Sequence, residues 1–150
     1  MSGRIEAFLE ADHARLAALL GRATARPGVV DAETFWEFRT GLLKHIGMEE
    51  RILFPAARAA LGGERFSWAG RLREDHGLLA SLLVPTPTPE RVARIVAILA
   101  VHDTIEEGPT GAYADCEAAL RPAGVDAVLE RLHQAPIPPP APYFDGPRRQ

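Results

Sequence analysis

The sequence predicts an all-α fold, an up-down-up-down antiparallel four-helix bundle with a short C-terminal helix and a proline-rich tail. Apolar residues recur at steps of three and four in four successive segments, glycine and proline pairs separate those segments, and none alternates convincingly with period two. A chain of 150 residues builds one core rather than two. Residues 1–120 are therefore assigned to the bundle, 121–135 to a short helix packed on or beside it, and 136–150 to an extended or disordered tail.

In the first segment Ile5, Phe8, Leu9, Leu16, Leu19 and Leu20 form an apolar stripe that contains His13 and stops before Pro27-Gly28. The second opens at Asp31, a good N-cap with Glu33 in the first turn, and presents Phe35, Phe38, Leu42, His45, Glu49 and Ile52 before ending by Gly62-Gly63. The third places Phe66, Ala69, Leu72, His76, Leu79 and Leu83 on one face and stops at Val84-Pro85-Thr86-Pro87, which proline keeps extended. Thr88 as N-cap, Pro89 at the first helical position and Glu90 behind it open the fourth, whose inward row is Val92, Ile95, Leu99, His102 and Glu106. Gly108-Pro109 breaks that helix, because proline removes a backbone donor and clashes with the preceding turn. Beyond it Tyr113, Cys116 and Leu120 fit a resumed helix, and Val125, Val128, Leu129 and Leu132 fit a short amphipathic helix after Pro122. From Pro136 the proline content favours an extended chain.

Composition narrows the roles. Lys and Arg total 17 against 20 Asp and Glu, a net charge of −3 with no basic excess to attract nucleic acid. The longest apolar runs fall far short of the ~20 residues that span a bilayer, so no membrane partner is expected. Glu6, Glu10 and Asp12 stand where a secretory signal needs an apolar core, and the single Cys116 closes no internal disulfide. A reducing cytoplasm is the expected location.

The inward rows carry polar residues that packing alone does not require. Each holds one histidine, His13, His45, His76 or His102, and two add a glutamate four residues later, Glu49 and Glu106, while His133 stands apart. A step of four advances a helix by about 40° and ~6 Å, so His45 with Glu49 and His102 with Glu106 project as adjacent pairs. Glu49 lies 12 residues before Leu61 and His76 lies 12 after Glu64. Both therefore sit ~18 Å from the end of that hairpin, at one level. A lone histidine on an apolar face is usually a hydrogen-bonded core residue. The conjunction says more, because uncompensated inward carboxylates cost on the order of several kcal/mol and every row supplies a nitrogen at compatible height. Four imidazoles and two carboxylates suit iron, and also manganese or zinc, and two bridging carboxylates suit a dinuclear centre. A ferritin-like site would show Glu-x-x-His instead.

The pattern Asp12-His13, then HIGMEERILFP from His45 to Pro55, then EDH from Glu74 to His76, then HDTIEE from His102 to Glu107 resembles the hemerythrin-like, or HHE cation-binding, domain. The resemblance covers roughly residues 5–120, and its second element, with paired glutamates before Leu53-Phe54-Pro55, is the most specific. It implies two non-haem iron ions, oxo- or hydroxo-bridged, with His13, His45, His76 and His102 as terminal ligands and Glu49 and Glu106 as bridges. The oxygen-carrying members have a second histidine one turn away on the third helix, where Leu72 and Ala80 stand in this chain. Losing a nitrogen ligand leaves a more open or more oxygen-rich metal. Reaction with oxygen, peroxide or nitric oxide, including iron-dependent peroxide consumption, is thus favoured over reversible oxygen carriage. The alternative is an iron- or oxygen-responsive sensor, or an interaction module, in which the metal mainly stabilises the helices. Carriers also place their last carboxylate one residue further along, which makes Glu107 a rival to Glu106.

Tyr113 reads as ordinary packing beyond the break in preference to a hydrogen-bond donor or radical site at the cluster, Trp36 and Trp68 as core or boundary aromatics, Cys116 as a small buried apolar residue, and Pro136 to Pro140 as a plain extended terminus. Replacing His102 by Ala is expected to remove the metal and replacing His133 by Ala to leave it in place. Elemental analysis of the two purified variants checks both.

Overall fold

The computed structural model describes residues 3–139 and 141–147. Residues 1 and 2 of the first segment, and Pro140 and 148–150 of the tail, lie outside the described residues. Among the described residues the chain is all-helical, without strands. The elements are α1 (Arg4–Ala23), α2 (Ala32–Met48), a π-helical segment (Glu49–Leu53) that runs directly into α3 (Phe54–Ala60), then α4 (Ala69–Leu82), α5 (Pro89–Glu106) and α6 (Ala112–His133).

The expected caps are formed. Asp31 accepts from the Thr34 N–H at 3.1 Å and the Thr88 hydroxyl from the Arg91 N–H at 3.2 Å, each satisfying a donor that a helix start leaves free. Gly62 and Gly63 end α3 at φ 70° and 94°, a region glycine enters without steric cost.

Three elements differ from the sequence reading. The second segment is not one regular helix: at Glu49–Leu53 the Phe54 N–H reaches the Glu49 carbonyl, five residues back. Pro55 supplies the reason, since its ring and missing N–H disrupt a regular α ladder, and the wider turn accommodates it. The extra residue shifts the inward register, so Leu53 rather than Ile52 is fully buried. Next, α4 begins at Ala69 and leaves Phe66 in the preceding loop, where it stacks on Trp68 at 4.6 Å. Trp68 in turn donates its indole N–H to Asp115 at 2.8 Å. Finally, the two expected C-terminal helices abut as α6, divided at Arg121 (φ 62°, ψ 168°), which Pro122 keeps out of the α region.

Two apolar clusters form. Leu16 and Leu20 of α1 meet Phe38 and Leu42 of α2, Leu79 of α4 and Ile95 of α5 in one. Later residues of α1 and α4 thus share one cluster with earlier residues of α2 and α5. Ile5 and Leu9 of α1 meet Leu53, Ala57, Cys116 and Leu129 in the other, where α6 lies against α1 and α3. No helix among the described residues is long and apolar enough to cross a membrane.

Residues 141–147 are extended yet docked. Arg39, 5% exposed, lies against both Trp36 and Tyr143, 4.8 and 4.6 Å from their ring centroids, and the two rings meet edge to face at 5.2 Å. It donates to the carbonyls of Leu83 and Ala141 at 2.8 and 2.7 Å. The Phe144 N–H reaches the Val84 carbonyl at 2.9 Å, and Asp145 accepts from the Thr86 N–H and hydroxyl at 2.8 and 2.6 Å. The segment therefore straps α2 to the α4–α5 connection. Arg39→Ala, which orphans two carbonyls and removes both ring contacts, is expected to lower unfolding free energy by about 2 kcal/mol in urea titrations. Arg39→Lys is expected to recover less than half of it, lacking the planar fork.

Candidate metal centre

A polar layer lies between the two apolar clusters. The middle of α1 contributes His13, the end of α2 His45, the start of the π segment Glu49, the middle of α4 His76, and the last turn of α5 His102 and Glu106. All six sequence-predicted residues converge, and both glutamates have no exposed surface. The four histidines turn Nε2 inward. His45 Nε2 lies 3.2 Å and His76 Nε2 2.9 Å from Glu49, while His13 and His102 Nε2 each lie 3.2 Å from Glu106. His13, His45, Glu49 and Glu106 offer one ligand atom each within 4.8 Å of one another, and so do Glu49, His76, His102 and Glu106. The glutamates belong to both sets. His133 packs edge-on against Phe8 at 4.7 Å and takes no part.

The outward nitrogens carry a second pattern. His45 Nδ1 lies 2.7 Å from Asp12, His76 Nδ1 2.7 Å from Glu50, His102 Nδ1 3.1 Å from Asp75, and His13 Nδ1 2.6 Å from Glu107. Every histidine is thus oriented by a carboxylate borrowed from a different element. Each of these acids sits one residue from a member of the polar layer, and the four contacts close a ring in the order α1, α2, α4, α5. Of the rivals Glu106 and Glu107, Glu106 lies inside the layer at His13 Nε2 and Glu107 lies at His13 Nδ1, where His13, Asp103 and Glu107 also offer ligand atoms within 4.8 Å of one another.

Tyr113 is the residue that sequence reasoning left as packing. Its hydroxyl contacts Glu49 and lies 3.1 Å from Glu106, 3.0 Å from His13 Nε2 and 3.1 Å from His45 Nε2. A tight turn delivers it. Gly108 takes φ 84°, and at Gly111 an added Cβ would stand 2.3 Å from the Glu107 carbonyl oxygen. Only glycine permits so close a return after α5. The sequence signal was the spacing, since Tyr113 opens the helix that follows immediately after the Gly108-Pro109 break.

The electrostatics follow from burial. Burial pulls the His45 imidazolium down, but the Glu49 and Asp12 carboxylates outweigh it and hold its pKa up at about 10. Burial is likewise outweighed at His102, where Glu106 and Asp75 raise it to about 9. Burial lifts Glu49, yet the His45 charge wins and leaves it well below the usual carboxylate range. Glu106 goes the other way, raised by burial and by the Glu49 charge. Burial and the two carboxylates keep the Tyr113 phenol protonated far above neutrality.

The donor set fits cations. A neutral imidazole that donates Nδ1–H to a carboxylate leaves a lone pair at Nε2, and His76 and His102 bring their two Nε2 atoms to 3.2 Å. Glu49 Oε1 and Glu106 Oε2 are buried without an aligned hydrogen bond. Lone pairs and carboxylate oxygens facing one another need either protons or metal ions between them.

The family model for the hemerythrin HHE cation binding domain matches residues 4–121, a span that runs from the first residue of α1 to the division of α6. No curated protein and no solved structure matches the chain.

Without metal, protons take the place of cations, and stability follows them. The His45 and His102 pKa values lie above the unfolded 6.5, so their stabilisation is fully present below pH 6.5 and lost as pH rises through about 9 and about 10. The melting temperature of the chelator-treated protein is therefore expected to fall between pH 7 and pH 10. The metal-loaded protein, with imidazoles already neutral, is expected to show a smaller fall by calorimetry across the same window.

Proposed function

The chain belongs to the hemerythrin HHE cation-binding family, and from that premise we propose that it is a non-haem di-iron protein whose metal pair reacts with a small oxygen-bearing ligand, peroxide foremost. The helices around the polar layer are read as an up-down-up-down four-helix bundle, followed by a short C-terminal helix and a docked tail. One observation carries the reading. Two four-residue ligand sets share Glu49 and Glu106, the donor arrangement that two neighbouring ions bridged by carboxylates require.

His13 and His45 would hold one ion and His76 and His102 the other, with Glu49 and Glu106 between them. When bound, the ions would supply Lewis acidity and electrons to the ligand. The chain itself supplies orientation and protons. Asp12, Glu50, Asp75 and Glu107 fix the ring planes of the histidines and raise their basicity. Tyr113 holds a proton on its hydroxyl at the junction of both carboxylates, 3.0 and 3.1 Å from two histidine nitrogens. Leu72 and Ala80 flank His76 where a further imidazole would complete the nitrogen set, and this supports reactivity over reversible carriage.

The alternative, a sensor or interaction module stabilised by its metal, calls for metal-dependent melting without turnover. Anaerobic titration with ferrous iron is expected to saturate at about two ions per chain, followed by peroxide consumption in proportion to iron content. One ion per chain, or full loading without peroxide loss, overturns the reading. Tyr113→Phe is expected to retain the iron and slow peroxide consumption by about 100-fold, the usual scale for losing a positioned proton donor. Rate and metal content measured on the same sample check it.

A further inference from the structure

The polar layer is the floor of a cavity of about 380 Å³. Its walls are apolar, formed by Leu16, Leu20, Leu42, Ile46, Leu79 and Leu99. Its mouth is a slot between α1 and α5, where Ala17, Gly21 and Thr24 stand opposite Val96 and Ala100, all exposed. These positions recur at steps of three and four, so each set forms a row along its helix. Small side chains leave that seam open. Gly21 is not imposed by crowding, since an added Cβ would meet nothing within 4 Å, and glycine weakens the helix in which it sits. At Gly21 the slot is therefore kept open by a residue that helix stability does not favour.

The volume decides what it can admit. An apolar cavity of about 150 Å³ already holds benzene, and sites for organic ligands begin near 300 Å³. Hydrogen peroxide has no apolar surface to desolvate against leucine walls, and a diatomic molecule leaves most of the space unused. We infer that the slot binds an organic hydroperoxide, with its hydrocarbon body along Leu20, Leu42 and Leu99 and its oxygen head at Glu49 and Glu106. This rests on the peroxide reading above and narrows its substrate class.

Calorimetric titration of the zinc-loaded, redox-inert protein tests the inference by binding alone. Cumene hydroperoxide is expected to bind at least tenfold tighter than hydrogen peroxide. Gly21→Leu, which adds bulk at a position where a Cβ would meet nothing within 4 Å, is expected to weaken that binding at least tenfold while zinc content stays unchanged. Equal binding of the two peroxides, or undiminished binding to Gly21→Leu, overturns the inference and leaves the metal reading standing. If the chain takes up neither zinc nor ferrous iron, the metal reading fails instead. Cumene titrated into the metal-free protein then decides the slot: shifts of the Leu20 and Leu42 methyl resonances support it, and unmoved resonances overturn it.

Discussion

Two carboxylates with no exposed surface, Glu49 and Glu106, set the constraint from which the rest of the architecture follows. Burying such groups without partners is prohibitive, so every neighbouring element must bring compensation to the same level. Four imidazole nitrogens and one phenol do so, from α1, α2, α4, α5 and α6. The same requirement splits the hydrophobic core. Leucines and phenylalanines fill the space on one side, and the α1–α3–α6 contacts fill it on the other, so the polar layer is held between two surfaces that resist rearrangement.

Support from outside the layer is as systematic as the layer itself. An imidazole with one free nitrogen can rotate, but one tied at Nδ1 to a carboxylate has its tautomer and ring plane fixed. All four are tied, and each tie crosses between elements. Helix packing and ligand orientation are consequently one property, because moving any helix disturbs the histidine it carries and the histidine it supports. Sites held on regular elements in this way keep their geometry better than sites on loops.

Much of this was legible in the residues, for physical reasons. The inward rows could be read because a period of 3.6 repeats over long segments, and Asp31, Thr88, Gly62 and Gly108 punctuate through local chemistry. His13, His45, Glu49, His76, His102 and Glu106 stood out because polar groups on apolar stripes need a cause, and the fold brings them together. The Glu49–Leu53 π turn was missed because a single residue of extra length leaves no periodic trace, although Pro55 marks where it must fall. Tyr113 was missed because a tyrosine on an apolar face is ordinary; the turn through Gly108 and Gly111 sets its destination, and that is a tertiary fact. The supporting roles of Asp12, Glu50 and Asp75 left no periodic signal, since adjacent positions on a helix face different directions, and Glu107 was legible only as a rival ligand to Glu106. The docked tail depends on Arg39 and Tyr143, more than 100 residues apart in the chain.

The ring of supporting acids has a geometric consequence. Asp12 and Asp75 precede their inward neighbours by one residue, whereas Glu50 and Glu107 follow theirs by one. In the proposed up-down-up-down bundle, all four steps lead toward the same end of the molecule. A right-handed screw turns in the same sense from whichever end it is viewed, so each acid is swung to the same side of its helix, by about 100° where the turn is α-helical. That side faces the next helix round the centre. A mirror-ordered arrangement of the same helices would aim all four carboxylates away from the histidines they serve. The acids thus discriminate between two topologies of similar apolar burial, and select the handedness with which the chain circles its own centre.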